Sequence, residues 1–116
     1  MKVWLANPEE HDFPAAVDYL ELLMPTKEAT TLVAQLKKAK TISKKAKDIL
    51  RASELPLLAK ENKHVLENLK KFRKGKKLSP LLLVRGKGKL IIADGYHRIC
   101  ASYYLSEDLE VPCRLV

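Results

Sequence analysis

Apolar residues recur at three- and four-residue spacing in some stretches of the chain and gather into short unbroken runs in others, which predicts helices in the first and strands in the second. Lys2 to Ala6, with the only tryptophan, Trp4, has the composition of a short edge strand, and the polar stretch Asn7 to Asp12 that of a turn. A helix is expected from Pro14, a residue favoured in the first turn, with Val17, Leu20, Leu23 and Met24 on its inner face; Pro25 ends it. Thr26 is placed to cap a second helix whose inner face is Ala29, Leu32, Val33, Leu36 and Ala39, with Lys37, Lys38 and Lys40 complementing its negative end. These two helices form an α-hairpin. Thr41 to Ser43 breaks the pattern, Ser43 caps a short helix carrying Ala46, Ile49 and Leu50, and Leu55 to Leu58 follows as a short strand. Glu61 to Lys74 is a helix with the stripe Val65, Leu66, Leu69 and Phe72, stopped by Gly75.

The pattern then tightens. Leu81 to Val84 and Leu90 to Ala93 are continuous apolar runs, the signature of strands buried on both faces, and Arg85 to Lys89 between them has hairpin composition. The second strand runs into Asp94-Gly95, after which Tyr96, Ile99, Cys100 and Tyr103 follow helical spacing. Asp94 is the expected N-cap, and Gly95 allows the abrupt change of direction. A closing strand is expected around Val111 to Arg114.

With 116 residues the chain is expected to form one domain with a core of its own. No run is long enough for a signal peptide or a membrane span, so a cytoplasmic location is the expectation. Cys100 and Cys113 lack metal-ligand spacing and are expected as reduced thiols, Cys100 in the core and Cys113 in the closing strand. Charge changes the picture more. Residues 1–34 carry two lysines against six acids, a net of −4, whereas residues 35–77 carry fifteen Lys or Arg against four acids, a net of +11, so the middle holds the whole excess of the +8 chain. Lys70, Lys71, Arg73, Lys74, Lys76 and Lys77 crowd the end of one helix. Such a cluster can track a nucleic acid backbone, or it is a solvated face at the negative end of a helix, and no aromatic residues are interleaved for base stacking.

The candidate chemistry lies at Asp94 to Arg98. The first turn of a helix offers unpaired N–H groups and positive potential, and Arg98 adds a fork of donors suited to phosphate or carboxylate oxygens. The alternative is structural: Asp94 caps the amides, His97 bonds locally and Arg98 makes an ion pair. Gly86-Lys87-Gly88-Lys89 lacks P-loop spacing and joins two strands, so it reads as a hairpin tip.

The segment Ile92-Ala93-Asp94-Gly95-Tyr96-His97-Arg98-Ile99-Cys100-Ala101, preceded by Leu78-Ser79-Pro80-Leu81-Leu82-Leu83-Val84 and followed by Val111-Pro112-Cys113-Arg114, resembles the ParB/sulfiredoxin superfamily, over about Ala46 to Val116. The resemblance implies a small mixed sheet with flanking helices, an α/β (α+β) domain with residues 1–45 as a mainly helical addition and 46–116 as the core. It implies that the helix N-terminus holds nucleotide phosphates, as in CTP-binding ParB partition domains, ATP-using sulfiredoxin and a free-serine kinase with the motif Asp-Gly-His-His-Arg. Gly95, His97 and Arg98 match sulfiredoxin, and Asp94 also matches the start of the kinase motif. Tyr96 departs from both. A phenol cannot attack through sulfur, which argues against sulfinic acid repair, and it replaces the first histidine of the kinase motif, which argues against serine kinase chemistry. In the resembling fold the hairpin lies near the site, which would bring Lys87 or Lys89 to a phosphate. The chain also resembles a group of small bacterial proteins sharing the segment Lys-Asp-Ile-Leu-Arg-Ala-Ser, here residues 47–53.

The resulting expectation is a nucleotide or phosphorylated small molecule bound at Asp94, Gly95, Tyr96, His97 and Arg98. Arg98 is the main ligand, His97 the second ligand or catalytic proton donor, and Tyr96 part of the pocket wall. ATP, ADP or CTP with Mg²⁺ is the expected cofactor set. An ATP- or ADP-dependent phosphotransferase would further need a carboxylate; Glu54 and Glu61 lie near the segment that supplies acids in the kinase, yet both fit equally well as solvated charges. The alternative is a basic DNA-binding module using Lys74, Lys76 and Lys77, and a third is a domain that only pairs with another protein.

Overall fold

Residues 4–116 are described by a computed structural model; Lys2 and Val3 of the expected first strand lie outside the described residues. Within them, α1 (Asp12–Leu20), α2 (Thr26–Lys38), β1 (Ile42–Lys45), α3 (Ala46–Ser53), α4 (Lys63–Arg73), β2 (Leu81–Arg85), β3 (Leu90–Asp94), α5 (Tyr96–Leu105) and β4 (Glu110–Leu115) follow in chain order. The strands form a mixed sheet in the order β1-β4-β2-β3, with β2 parallel to β4 and the other neighbours antiparallel. This is the expected α/β class. No helix among the described residues is long and apolar enough to cross a membrane.

Successive side chains of a strand point to opposite faces, so the unbroken apolar run of β2 requires cover on both. Leu81 and Leu83 pack with α3, α4 and α5. Leu82 and Val84 pack with Phe13, Ala16 and Leu20 of α1 and Ala29, Val33 and Leu36 of α2. All four β2 leucine and valine side chains are buried, each contributing about 1.5–3 kcal/mol by leaving water. The α-hairpin is therefore one layer of the sandwich. At the tip of the β2–β3 hairpin, Gly88 takes a positive φ of 78° and the Gly86 N–H donates to the Lys89 carbonyl at 3.0 Å.

The first helix differs from its expected extent. It begins at Asp12 and ends at Leu20, because the amides of Leu22, Leu23 and Met24 turn back onto the carbonyls of Tyr19, Leu20 and Leu20 at 3.1, 2.9 and 3.0 Å. Leu23 consequently leaves the inner stripe and is 54% exposed, while Phe13 and Ala16 take the core positions. Pro25 is the residue before α2 rather than the stop of α1, and Thr26 is already helical, its hydroxyl donating to the Glu21 carboxylate at 3.2 Å rather than capping.

Ser43 does not cap α3 either. It lies in β1, opposite Pro112 of β4, and the residue before α3 is Lys45. The first amides of α3 are satisfied from across the chain instead: Ala46 N–H donates to Leu109 O and Lys47 N–H to Glu107 O, both at 2.9 Å. Because β1 is exposed along its whole length, it has no apolar alternation, and the residues before the proposed boundary at position 46 include a strand of the sheet.

Leu55 to Leu58 is not a strand. It runs as an irregular strap over α5, where the Tyr96 and Tyr104 hydroxyls donate to the carbonyls of Pro56 and Leu58 at 2.5 and 2.6 Å. After it, α4 starts two residues later than expected, behind Asn62, whose side-chain oxygen accepts from the amides of His64 and Val65 at 2.9 and 3.2 Å. A cap of this kind is worth about 1 kcal/mol. The other end closes on Gly75, with φ 71°: Gly75 N–H reaches Phe72 O at 3.2 Å and Lys76 N–H reaches Lys71 O at 3.0 Å, a Schellman turn.

Candidate functional site

β3 delivers the chain to Asp94, and the direction reverses at Gly95, where φ is +111°. A β-carbon there would sit 2.7 Å from Leu81 Cγ and 3.0 Å from Arg98 Nη2, so both the conformation and the space demand glycine. Gly95, not Asp94, occupies the N-cap position, and no side chain caps the helix. The first backbone bond into α5 is Ile99 N–H to Gly95 O at 2.9 Å, which leaves the amides of Tyr96, His97 and Arg98 without an acceptor among the described residues. The capping role expected for Asp94 fails because its carboxylate is held by Arg98 instead, Nη2 to Oδ2 at 2.9 Å, with both side chains mostly buried.

These groups form one wall of a cleft of about 260 Å³. The opposite wall is α4, which contributes His64, Glu67, Asn68 and Lys71. Their spacing of three, four and seven residues puts them on one helical face, beside the buried stripe of Val65, Leu69 and Phe72. This polar stripe was legible in the sequence as a pattern, but its destination was not: only the packing of α4 on α5 turns it toward Arg98. All five residues expected at the site, Asp94, Gly95, Tyr96, His97 and Arg98, line the cleft. Lys74, Lys76 and Lys77 do not, and they are exposed beyond the C-terminal end of α4, away from His64. Lys87 and Lys89 are absent from the cleft because the hairpin tip lies at the other end of β3 from Asp94. Glu54 and Glu61 are exposed and line no part of it.

Burial raises the Asp94 carboxyl above the usual range, although the Arg98 guanidinium opposes the shift; Asp12 and His11, from the start of α1, also act on it. The His97 ring lies 4.8 Å from the His64 ring, centroid to centroid, and 5.8 Å from Tyr96. Burial, and then the neighbouring His64, lower the pKa of His97. His64 Nδ1 is 3.6 Å from Glu67 Oε2. The Nε of Arg98 is buried with no hydrogen-bond partner. Arg98 thus combines the structural ion pair with unused donor capacity.

No group of three metal-ligating side chains is present among the described residues. Both cysteines are free and buried, and burial pushes the Cys113 thiol up to about 11 and raises that of Cys100 as well, so neither supplies a thiolate. A larger groove, about 560 Å³, lies where the strap meets α3 between Leu50, Leu55, Leu57 and Tyr103. Its surface is mostly apolar, and of the charged side chains that also line it beside Glu54, Lys47 and Arg51 are already paired with Asp108 and Asp48 at 2.7 and 3.4 Å. Neither a family model, nor a curated protein, nor a solved structure matches this chain.

Proposed function

We propose that this protein binds the phosphate of a nucleotide or another phosphorylated small molecule in the cleft between α4 and α5. The observation that carries the reading is convergence: Lys71, Arg98, His64, His97 and the unbonded first-turn amides of α5 all meet one small polar cleft. Each is a donor or a cation, and the positive end of the helix adds to them. The Asp-Gly-Tyr-His-Arg resemblance to ParB/sulfiredoxin proteins points the same way. Of the two carboxylates, Asp94 is engaged by Arg98 and Glu67 stands 3.6 Å from His64 Nδ1, so both face cations or donors inside the cleft. In an ATP- or ADP-dependent phosphoryl transfer, His97 is the group at the cleft suited to donate or accept the proton.

Calorimetric titration with ATP, ADP and CTP, each with Mg²⁺, tests the reading in the wild type and in Arg98→Ala. Saturable binding that weakens at least about tenfold in the variant supports it. Absence of binding to the folded wild type removes it and leaves Asp94–Arg98 as a structural pair.

A second reading, a basic DNA-binding module, draws on Lys74, Lys76 and Lys77, which are exposed and have no acidic partner among the described residues. If it holds, replacing these three lysines with alanine weakens duplex binding and lowers its salt slope, while Arg98→Ala leaves it nearly unchanged.

A further inference from the structure

The fixed charges of the cleft cancel. Lys71 and Arg98 bring two positive charges; Glu67 and Asp94 bring two negative ones. The N-terminus of α5 supplies only about half a positive charge. A singly charged anion needs no more than that potential and the free amides, whereas the second charge of a phosphate dianion calls for further donors. What remains are the two histidines, whose rings stand 4.8 Å apart at an angle of 54° on facing helices, His64 from α4 and His97 from α5.

Two imidazolium rings at that separation repel one another, so the ligand-free pair does not hold two protons near neutrality. A dianion seated against the edges of both rings reverses the balance, because each ring can then donate a charge-assisted hydrogen bond to a different phosphate oxygen. The surroundings leave this role to the pair. On α4, Glu67 approaches His64 Nδ1 at 3.6 Å and Lys71 lies two turns along. On α5, Arg98 turns to Asp94 of β3, on which Asp12 and His11 of α1 also act. The remaining neighbour of α5, helix α3, sends no charged side chain into the cleft.

We infer that the cleft selects a terminal phosphate in its dianionic form, as in a phosphomonoester or the last phosphate of a nucleoside diphosphate, and that binding draws a proton onto the His64–His97 pair. The inference rests on the proposed phosphate-binding role of the cleft and adds ligand class and a proton to it. It gives His64, which no sequence motif singles out, a direct part in recognition. It also sets a pH dependence. Affinity falls at low pH as the terminal phosphate loses its second charge near pH ~6, and falls again at high pH as the pair can no longer take up its proton.

Isothermal titration of the full chain with ADP and with inorganic phosphate, in buffers of low and high ionisation enthalpy at about pH 7.5, counts the protons exchanged. The expected result is net uptake approaching about one proton per ADP, and less for inorganic phosphate, whose monoanionic fraction at that pH gives up its own proton on binding. His64→Gln, a substitution at an exposed side chain, should remove most of that uptake and weaken ADP binding about tenfold at about pH 6.5, and much less at about pH 8.5. Adenosine 3′,5′-cyclic monophosphate, a monoanionic diester, should bind at least about tenfold more weakly than ADP. ADP or phosphate binding without proton uptake, indifferent to His64→Gln, overturns this inference and leaves the phosphate-binding reading standing. Binding of neither probe overturns both.

Discussion

Two arginines sit against helix ends in this protein, and their surroundings differ in kind. Arg114, on β4, is 8% exposed and spends every nitrogen: Nε on Thr41 Oγ1 at 3.3 Å, Nη1 on the carbonyls of Leu36 and Lys37 at 3.2 and 2.8 Å, and Nη2 on Asn7 Oδ1 at 2.7 Å. No carboxylate faces it in these bonds. The cation is held by the negative end of α2 and by neutral oxygens, an arrangement that leaves nothing to offer a ligand. The Arg98 side chain makes one hydrogen bond among the described residues, to Asp94, and has a buried Nε without a partner, at the wall of a polar cleft. The same side chain is a structural rivet where its donors are used up, and a candidate ligand where they are not.

The sharpest way to break this contrast is at Arg114. Arg114→Ala strands two carbonyls and two side-chain oxygens in a largely buried place and is expected to cost about 3 kcal/mol of stability, read as a lower urea midpoint, with phosphate affinity of the folded protein unchanged. An affinity loss matching that of Arg98→Ala would end the distinction. Gly95→Ala comes next. The positive φ and the close approach of Leu81 predict a loss of about 2 kcal/mol, together with loss of binding as the α5 N-terminus shifts. Arg98→Gln should reverse the emphasis of Arg114: it leaves the mostly buried Asp94 with a neutral donor and costs about 1–2 kcal/mol of stability, with about tenfold weaker nucleotide binding by calorimetry.

The smallest effect expected is a pH dependence of the ligand-free protein. The folded state lowers the His97 pKa, so its favourable contribution is complete above the unfolded value of about 6.5 and is lost as pH falls toward the lower folded value. Urea midpoints measured at about pH 7.5 and about pH 5.5 should therefore fall by less in His97→Gln than in wild type. Equal drops in the two proteins would show that His97 is not the group responsible.

Much of this was legible from the chain, and the unevenness is instructive. The β2–β3–α5 unit and α4 were within reach because their signals are local: unbroken apolar runs for strands covered on both faces, Gly75 and Gly95 where the backbone must turn left-handed, and a stripe at helical spacing ahead of Gly75. The five residues at Asp94 to Arg98 were legible as a group for the same reason. Their division of labour was not. Asp94 looks like a cap in one dimension, and becomes the partner of Arg98 only because Gly95 places the two within one turn.

What only the tertiary structure decided are the features whose partners are distant in sequence. β1 has no apolar alternation and exists because its backbone pairs with β4; Leu55–Leu58 stays irregular because two tyrosine hydroxyls on α5 accept the role that a neighbouring strand would have filled. Arg114 meets Asn7 from 107 residues away, and His64 meets His97 across two helices. By itself, the sequence determined where apolar surface and turns must fall, because burial and backbone conformation are read residue by residue. It left open which polar groups would meet, because that choice is made only when the buried faces of α4, α5 and the sheet have closed on one another.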